Sequence, residues 1–364
     1  MKRIVFTVTN DLDYDQRMQR ICTSLANAGY NVLLVGRKLN TSVPLQQQVF
    51  QQKRLRCVFN KKFLFYAEYN LRLFFFLFFT RMDAVCAIDL DTIIPCYFVS
   101  RLRDKLRIYD AHELFSEMKE VIRRPRVRKM WSHIEKYYVP KFVHGYTVSE
   151  SIAEEFGRRY GVRYSVIRNL PVEKELAVNR PIEKKAFLYQ GAINEARGLE
   201  ALVEAMNYVD AELHLYGDGN IDEEIKDLIR RRGLEKKVIM KGKILPAELH
   251  LVTQHAYAGI NLVEPAGLNQ LYSLSNKFFD YIQAGIPQLT MNFPEYKKIN
   301  DTYQVAVLTS TINVKDVADK LNLLLNDEAL YQNLKNNCMM ARNVFSWQAE
   351  EPKLLEFYKT LFRR

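Results

Sequence analysis

Short apolar runs alternate along the chain with longer stretches whose apolar positions recur at helical spacing. Lys2–Thr9 predicts a strand, Asp15–Gly29 a helix ended by its glycine, and Asn31–Val35 the next strand. Further strands are predicted over Ala84–Ile88, Leu106–Asp110 and His144–Val148, with a helix from Glu150 and Val166–Pro171 closing the set. A buried strand followed by an amphipathic helix, repeated, implies parallel sheets in an α/β fold.

Residues 172–185 (VEKELAVNRPIEKK) are polar, charged and broken by a proline, which is linker chemistry. The pattern then restarts with strand Ala186–Tyr189, helix Leu199–Met206 and strand Glu212–Tyr216. Helix Asp222–Arg232 and strands Lys237–Met240, Ala258–Val263 and Gln288–Met291 follow, and an amphipathic helix runs from Ser346 to Phe362. The expected division is a domain over 1–171, a linker over 172–185, a second domain over 186–345 and a C-terminal helix over 346–364 that can cross back to the first domain. Ligands of doubly wound sheets bind at the carboxyl ends of strands.

One helix breaks the pattern of buried apolar residues. SNKFFDYIQAGIP (275–287) opens with Lys277 and carries Asp280 one turn later, with Ser275 or Asn276 as a cap and Gly285 as its end. A charge in a packed region costs free energy unless it has a partner. This helix start is therefore either solvated or the seat of an anionic, hydroxylated ligand.

Composition narrows the class. A chain of 364 residues that is 48% hydrophobic and 26% charged suits a globular protein with two cores. Five scattered cysteines without CxxC spacing suggest free thiols in a reducing cytoplasm and no zinc site. The net charge of +11 is unevenly placed: residues 1–170 hold 29 Lys and Arg against 16 Asp and Glu, leaving 24 against 26 for the remainder. Such asymmetry points to a half that meets an anionic surface or ligand. The densest basic run, Arg123, Arg124, Arg126, Arg128 and Lys129, ends beside Trp131. It reads as a solvated helix face, with anionic lipid or nucleic acid as alternatives. The apolar segment Leu73–Phe79 is too short to cross a bilayer, which takes about 20 residues. A buried core helix is the first reading, and a helix dipping one face into a bilayer surface the second.

The loop GAINEARG (191–198) joins a strand to a helix and places Arg197 just before that helix, where backbone N–H groups favour an anion. A second glycine turn, Gly217-Asp218-Gly219, follows LHLY. Neither loop is GxxxxGK[ST] or GxGxxG, which weighs against a P-loop kinase and a simple dinucleotide fold.

GAINEARG, LHLYGDG, KVIMKGKI, GINLVEPAG and SNKFFDYIQAGIP, in this order, resemble the C-terminal half of a GT-B glycosyltransferase of the retaining, family-four-like group. DYDQRMQRICTSLANAGYNVLLVGR, AIDLDT, YDAHELFSE and VIRNLP resemble the first half of a bacterial subgroup of it. The resemblance implies two Rossmann-like domains facing across a cleft and transfer of a sugar from a nucleotide diphosphate sugar to a glycan or lipid-linked acceptor. A polysaccharide precursor is the implied kind of acceptor, and no cofactor or metal is expected.

By resemblance the ribose-binding carboxylate falls on Asp280 and the phosphate-binding cation on Arg197. Ala192 stands where the family has a second cation, which Lys277 is expected to supply. Gly191, Ser275 and Asn276 complete the donor nucleotide and phosphate set. Glu264 lies sixteen residues before Asp280 rather than the family's eight, so the sugar contact falls to it or to Tyr272, Ser273 and Ser275. His112 and Glu113 follow a strand where the family places a histidine near the reacting carbon, and with Glu264 form the catalytic candidates. Asp89 and Asp91 are acceptor candidates, with a DxD metal site as the lesser reading. Asp15 and Arg17, with Asp11 and Asp13 in the same turn, are acceptor or phosphate candidates, and acidic helix caps explain the carboxylates equally well. The alternatives are a nucleotide-sugar epimerase of the same fold and a basic nucleic-acid-binding protein. The charge confined to one half weighs against the second.

Overall fold

The computed structural model describes residues 1–12, 15–59, 61–176 and 185–363, so Asp13 and linker positions 177–184 lie outside the described residues. Contacts divide the chain into two units, Met1–Asn169 with Glu351–Arg364, and Leu170–Glu350.

The first unit is a seven-stranded sheet of β1 (Arg3–Thr7), β2 (Asn31–Lys38), β3 (Gln51–Arg56), β4 (Ala84–Ile88), β5 (Leu106–Ala111), β6 (His144–Thr147) and β7 (Ser165–Val166). Its order is β3-β2-β1-β4-β5-β6-β7, with parallel neighbours throughout. Its helices are α1 (Gln16–Asn27), α2 (Lys62–Phe79), α3 (Ile93–Leu102), α4 (Lys119–Ile122), α5 (Pro125–Tyr138) and α6 (Glu150–Tyr160). The edge strand β3 (QQKRLR) was not predicted, because it has no apolar run to mark it. The expected strand over Val166–Pro171 shrinks to the end of β7, followed by one more ladder bond from Ile167 N–H to the Thr147 carbonyl.

The second unit has the parallel order β10-β9-β8-β11-β12-β13. Its strands are β8 (Ala186–Gln190), β9 (Glu212–Tyr216), β10 (Val238–Gly242), β11 (Ala258–Asn261), β12 (Gln288–Met291) and β13 (Ala306–Thr309). Around them lie α7 (Leu199–Ala205), α8 (Asp222–Arg231), α9 (Pro246–Gln254), α10 (Leu268–Leu271), α11 (Asn276–Gln283), α12 (Pro294–Tyr303), α13 (Val314–Asn326) and α14 (Glu328–Ala341). The last helix, α15 (Trp347–Arg363), starts in the second unit and contributes its final turns to the first. There Tyr358 is fully buried against Phe6 and Tyr146.

Two expectations about apolar segments are corrected. α2 buries Phe65, Tyr69, Leu73 and Leu77, but Leu71, Phe75, Phe78 and Phe79 are exposed, so it is not a buried core helix. Trp131 packs into Phe115 and Tyr66 and is 6% exposed, so it cannot serve as an interfacial anchor. The cations Arg123, Arg124, Arg126, Arg128 and Lys129 are exposed, as a solvated helix face requires.

Candidate active site

In each sheet the winding reverses once, between β1 and β4 in the first unit and between β8 and β11 in the second. A crevice opens at such a switch point because the connections leave on opposite faces. The residues singled out by sequence gather at these two places.

In the second unit the loop after β8 is held by backbone bonds. Gly191 N–H donates to the Tyr216 carbonyl, Ile193 N–H to the Asp218 carbonyl, and Ile221 N–H to the Ile193 carbonyl. The two glycine turns press together so closely that a Cβ on Gly217 would lie 1.8 Å from the Gly191 carbonyl oxygen. Both glycines also have positive φ, 131° at Gly191 and 143° at Gly217, a conformation that disfavours side chains at either position. Glu264 N–H donates to the Ala196 carbonyl, which seats the exposed Glu264 beside this loop. The longer connection after β11 contains α10.

Lys277 lies on the first turn of α11, its Nζ 4.0 Å from the centre of the Tyr189 ring and within reach of Gly191. Tyr189 is itself fixed by a bond from its hydroxyl to the Ala192 carbonyl. Burial and the nearby Arg197 push the Lys277 ammonium down to about 7, against the pull of Asp280. Neither Arg197 nor Lys277 forms a salt bridge with a described residue. Two neighbouring cations that repel each other and form no salt bridge are suited to an incoming polyanion. Asp280 accepts from Gln190 Nε2 at 3.0 Å, and Gln190 Oε1 accepts from Thr253. Ser275 occupies the N-cap position without capping: its hydroxyl donates to Asn261 Oδ1 at 2.9 Å and its N–H to the Tyr296 hydroxyl. The exposed Asn276 starts the helix. Gln190, Thr253 and Asn261 were missed; a polar residue ending an otherwise apolar strand (AFLYQ, AGIN) is the signal that could have found the first and third.

In the first unit the charges are buried and paired. Arg17 donates from Nη2 to Asp110 Oδ1 and from Nη1 to the Ile167 carbonyl, each at 3.0 Å, and its Nε stands 3.0 Å from His112 Nε2. With its guanidinium consumed internally and 4% exposed, Arg17 positions its neighbours rather than presenting itself to an acceptor or phosphate. His112 N–H donates to Asp89 Oδ1 at 2.8 Å, and the ring lies 3.5 Å from Asp89 and 3.2 Å from Asp110 Oδ2. Were His112 neutral and accepting from Arg17, Asp110 Oδ2 would be left buried without a partner. A proton on His112 Nε2, 3.2 Å away, would satisfy that oxygen. Burial opposes this charge, but Asp110 and Asp89 outweigh it and raise the His112 pKa to about 9. Burial also raises Asp89 to about 7 and Asp91 to about 6.

Asp89 sits in the left-handed region, φ 55°, a conformation that costs a residue with a side chain roughly 1 kcal/mol or more. Asp91 accepts from the Thr9 hydroxyl, and its carbonyl from Asn70. The two carboxylates of the DxD thus serve different partners. Glu113 is partly buried next to His112 and adds to the charge around Asp89. Asp15 caps α1, accepting from Met18 N–H at 3.0 Å and from Asn10 at 2.6 Å, and Asp11 pairs with Arg54. Caps explain that turn. Asp110 was also missed, hidden as the last polar residue of an apolar strand.

Residues 173–339 match the family model described as glycosyl transferases group 1. No curated protein matches the chain by sequence. Among solved structures, the sucrose-phosphate synthase of Thermosynechococcus elongatus superposes with a TM-score of 0.81 at 17% identity, over 100% of both chains. HepE of Anabaena, solved with UDP-glucose, gives 0.74 at 12% identity, covering 99% of this chain and 100% of its own. The lipopolysaccharide outer core galactosyltransferase WaaB gives 0.70 at 16% identity over 99% of both chains. The second unit thus carries the group 1 glycosyl transferase match, on a GT-B fold that the chain shares over its full length with these structures.

Proposed function

We propose that the enzyme transfers a hexose from a nucleoside diphosphate sugar to a hydroxyl of a lipid-linked or cell-surface polysaccharide precursor, with retention of anomeric configuration. The observation that carries the donor half is Lys277 beside Gly191, with Arg197 near enough to repel it and neither in a salt bridge with a described residue, at the switch point of the second unit. They would hold the diphosphate and stabilise the charge that develops as it leaves. Asp280, oriented by Gln190, is the ribose contact, with Ser275 and Asn276 at the same helix start. Glu264, seated against the glycine loop, is the candidate contact to the donor sugar.

For the acceptor half, His112 and Glu113 stand at the carboxyl end of β5, with Asp89 and Asp91 beside them. Front-face attack by the acceptor hydroxyl, with the nucleoside diphosphate departing and no covalent glycosyl-enzyme, is the mechanism this reading takes. No metal or other cofactor enters this scheme. Lipid-linked acceptors lie at membrane surfaces, and the basic first unit suits a cytoplasmic enzyme working peripherally at the inner, anionic leaflet.

A panel of nucleosides, nucleoside diphosphates and nucleotide sugars in thermal unfolding tests the donor site. A ligand at 100 times its dissociation constant stabilises by about 2.7 kcal/mol. A shift with nucleoside diphosphates but not with nucleosides supports the reading; no shift with any of them rejects it.

A further inference from the structure

A helix packed on a sheet normally turns polar residues outward. α2 does the opposite. On its solvent side Leu71, Phe75 and Phe78 follow one another at helical spacing, and Phe79 beside them is 80% exposed. The neighbouring α3 extends the same surface with Phe98 and Leu102, the latter 64% exposed. The two helices pack along each other, and Arg103, just past α3, donates to the Leu77 carbonyl near the end of α2 at 3.0 Å. Phe98 in turn meets the ring of Tyr138 on α5, the helix that carries most of the exposed basic run. Six large apolar side chains are thus displayed on one helical layer. The buried residues of α2, Phe65, Tyr69, Leu73 and Leu77, lie on its other side.

Cations border the patch. Arg81 lies just past the α2 stripe and Arg101 next to Leu102, both exposed, against the exposed Asp104, while the exposed Arg72 beside the stripe is already paired with Glu68 at 2.7 Å. The sequence of the whole unit, 1–169 with 351–364, has 33 Lys and Arg against 18 Asp and Glu. No helix among the described residues is long and apolar enough to cross a membrane.

We propose that the α2–α3 face is a membrane-docking surface, which enters the headgroup and upper acyl region of an anionic bilayer while the surrounding cations pair with its lipids. It deepens the membrane-proximal part of the function proposed above and does not depend on the donor site. The chemistry matches both halves of such a surface: apolar helix faces settle shallowly at the acyl boundary, and basic residues add attraction within a Debye length of anionic lipid. Phe75, Phe78 and Phe79 take the place of the buried Trp131.

The experiment is vesicle flotation of the full chain with phosphatidylcholine alone and with phosphatidylglycerol added, at low and high salt. The wild type should float with the anionic vesicles and lose most of that binding in high salt. The variant Phe75→Ser/Phe78→Ser/Phe79→Ser, at exposed positions, should keep its thermal midpoint and lose binding by at least about tenfold. Equal binding by this variant, or a wild type that floats with no vesicle, overturns the proposal. So does a wild-type dimer in solution that the variant breaks without any vesicle binding, since a second copy would then cover the face. Failure of the donor-site reading shows separately, as absence of protection by nucleoside diphosphates.

Discussion

The two units share one plan and use charge in opposite ways. Each is a parallel sheet with a single reversal, and each gathers ionisable side chains at the carboxyl ends of the strands there. In the first unit Arg17, Asp110, His112 and Asp89 answer one another inside the protein. In the second, Arg197 and Lys277 repel one another and have no salt-bridge partner among the described residues. A closed network fixes a geometry, whereas an open pair of cations holds affinity in reserve for a ligand. The same fold therefore holds a closed charge network in one unit and, on the function proposed above, an anion seat in the other.

Breaking the closed network should have the largest effect. Arg17→Met removes the guanidinium bonded to the fully buried Asp110, leaving His112 alone to offset that charge, and should cost about 3–5 kcal/mol in urea unfolding. Lys277→Met is the counterpart and should not destabilise the unliganded protein at neutral pH, because it removes a charge that burial already disfavours. Similar losses for the two variants would erase the distinction.

Next in size is catalysis. His112→Ala should lower sugar transfer by about a hundredfold or more while leaving nucleoside diphosphate affinity nearly unchanged, since its bonds lie within the first unit. A parallel fall in donor affinity would place His112 in the donor site instead. Arg197→Ala and Lys277→Ala should show the reverse emphasis. Each should weaken nucleoside diphosphate binding by about 1.5–3 kcal/mol and leave nucleoside binding alone.

The pH dependence sharpens the contrast. His112 has a folded pKa of about 9, above its ordinary 6.5, so its stabilisation is complete below 6.5 and is lost as pH rises through 9. Lys277, lowered to about 7 from 10.5, binds fewer protons when folded, so its contribution to stability rises with pH between those values. Unfolding midpoints of His112→Gln should lack the falling limb, and those of Lys277→Met the rising one. The smallest effect belongs to the basic run: replacing Arg124 or Arg126 by Gln should change stability by no more than about 0.5 kcal/mol.

Much of the second unit was legible because its signals are local. A strand, a glycine loop and a helix start lie within a few residues of each other, so Gly191 and Arg197 could be grouped from sequence, whereas Lys277, eighty residues on, joined them only through the family resemblance. The first unit hid its network because the partners come from α1, β4 and β5, and only pairing across the sheet brings them together. Arg17 read as a ligand-facing cation for that reason: nothing near it in the chain announces Asp110. Polar edge strands such as β3 escape hydrophobic patterning altogether. For α2 the apolar run was legible, but the exposed side was not, since composition does not say which face a sheet covers. The closing elements α12 to α14 and β13 were not predicted either, although Val317, Leu321 and Leu324 of α13 recur at helical spacing and are buried.

The central claim is that Lys277 and Arg197 form an open anion seat, and proton uptake on binding tests it most directly. At pH 8 Lys277, with its pKa near 7, is mostly neutral. A bound diphosphate favours the ammonium, so calorimetry in buffers of different ionisation enthalpy should show uptake of roughly one proton per nucleoside diphosphate. Lys277→Met should bind more weakly with no such uptake. Equal affinity and equal proton exchange in wild type and variant would contradict the account.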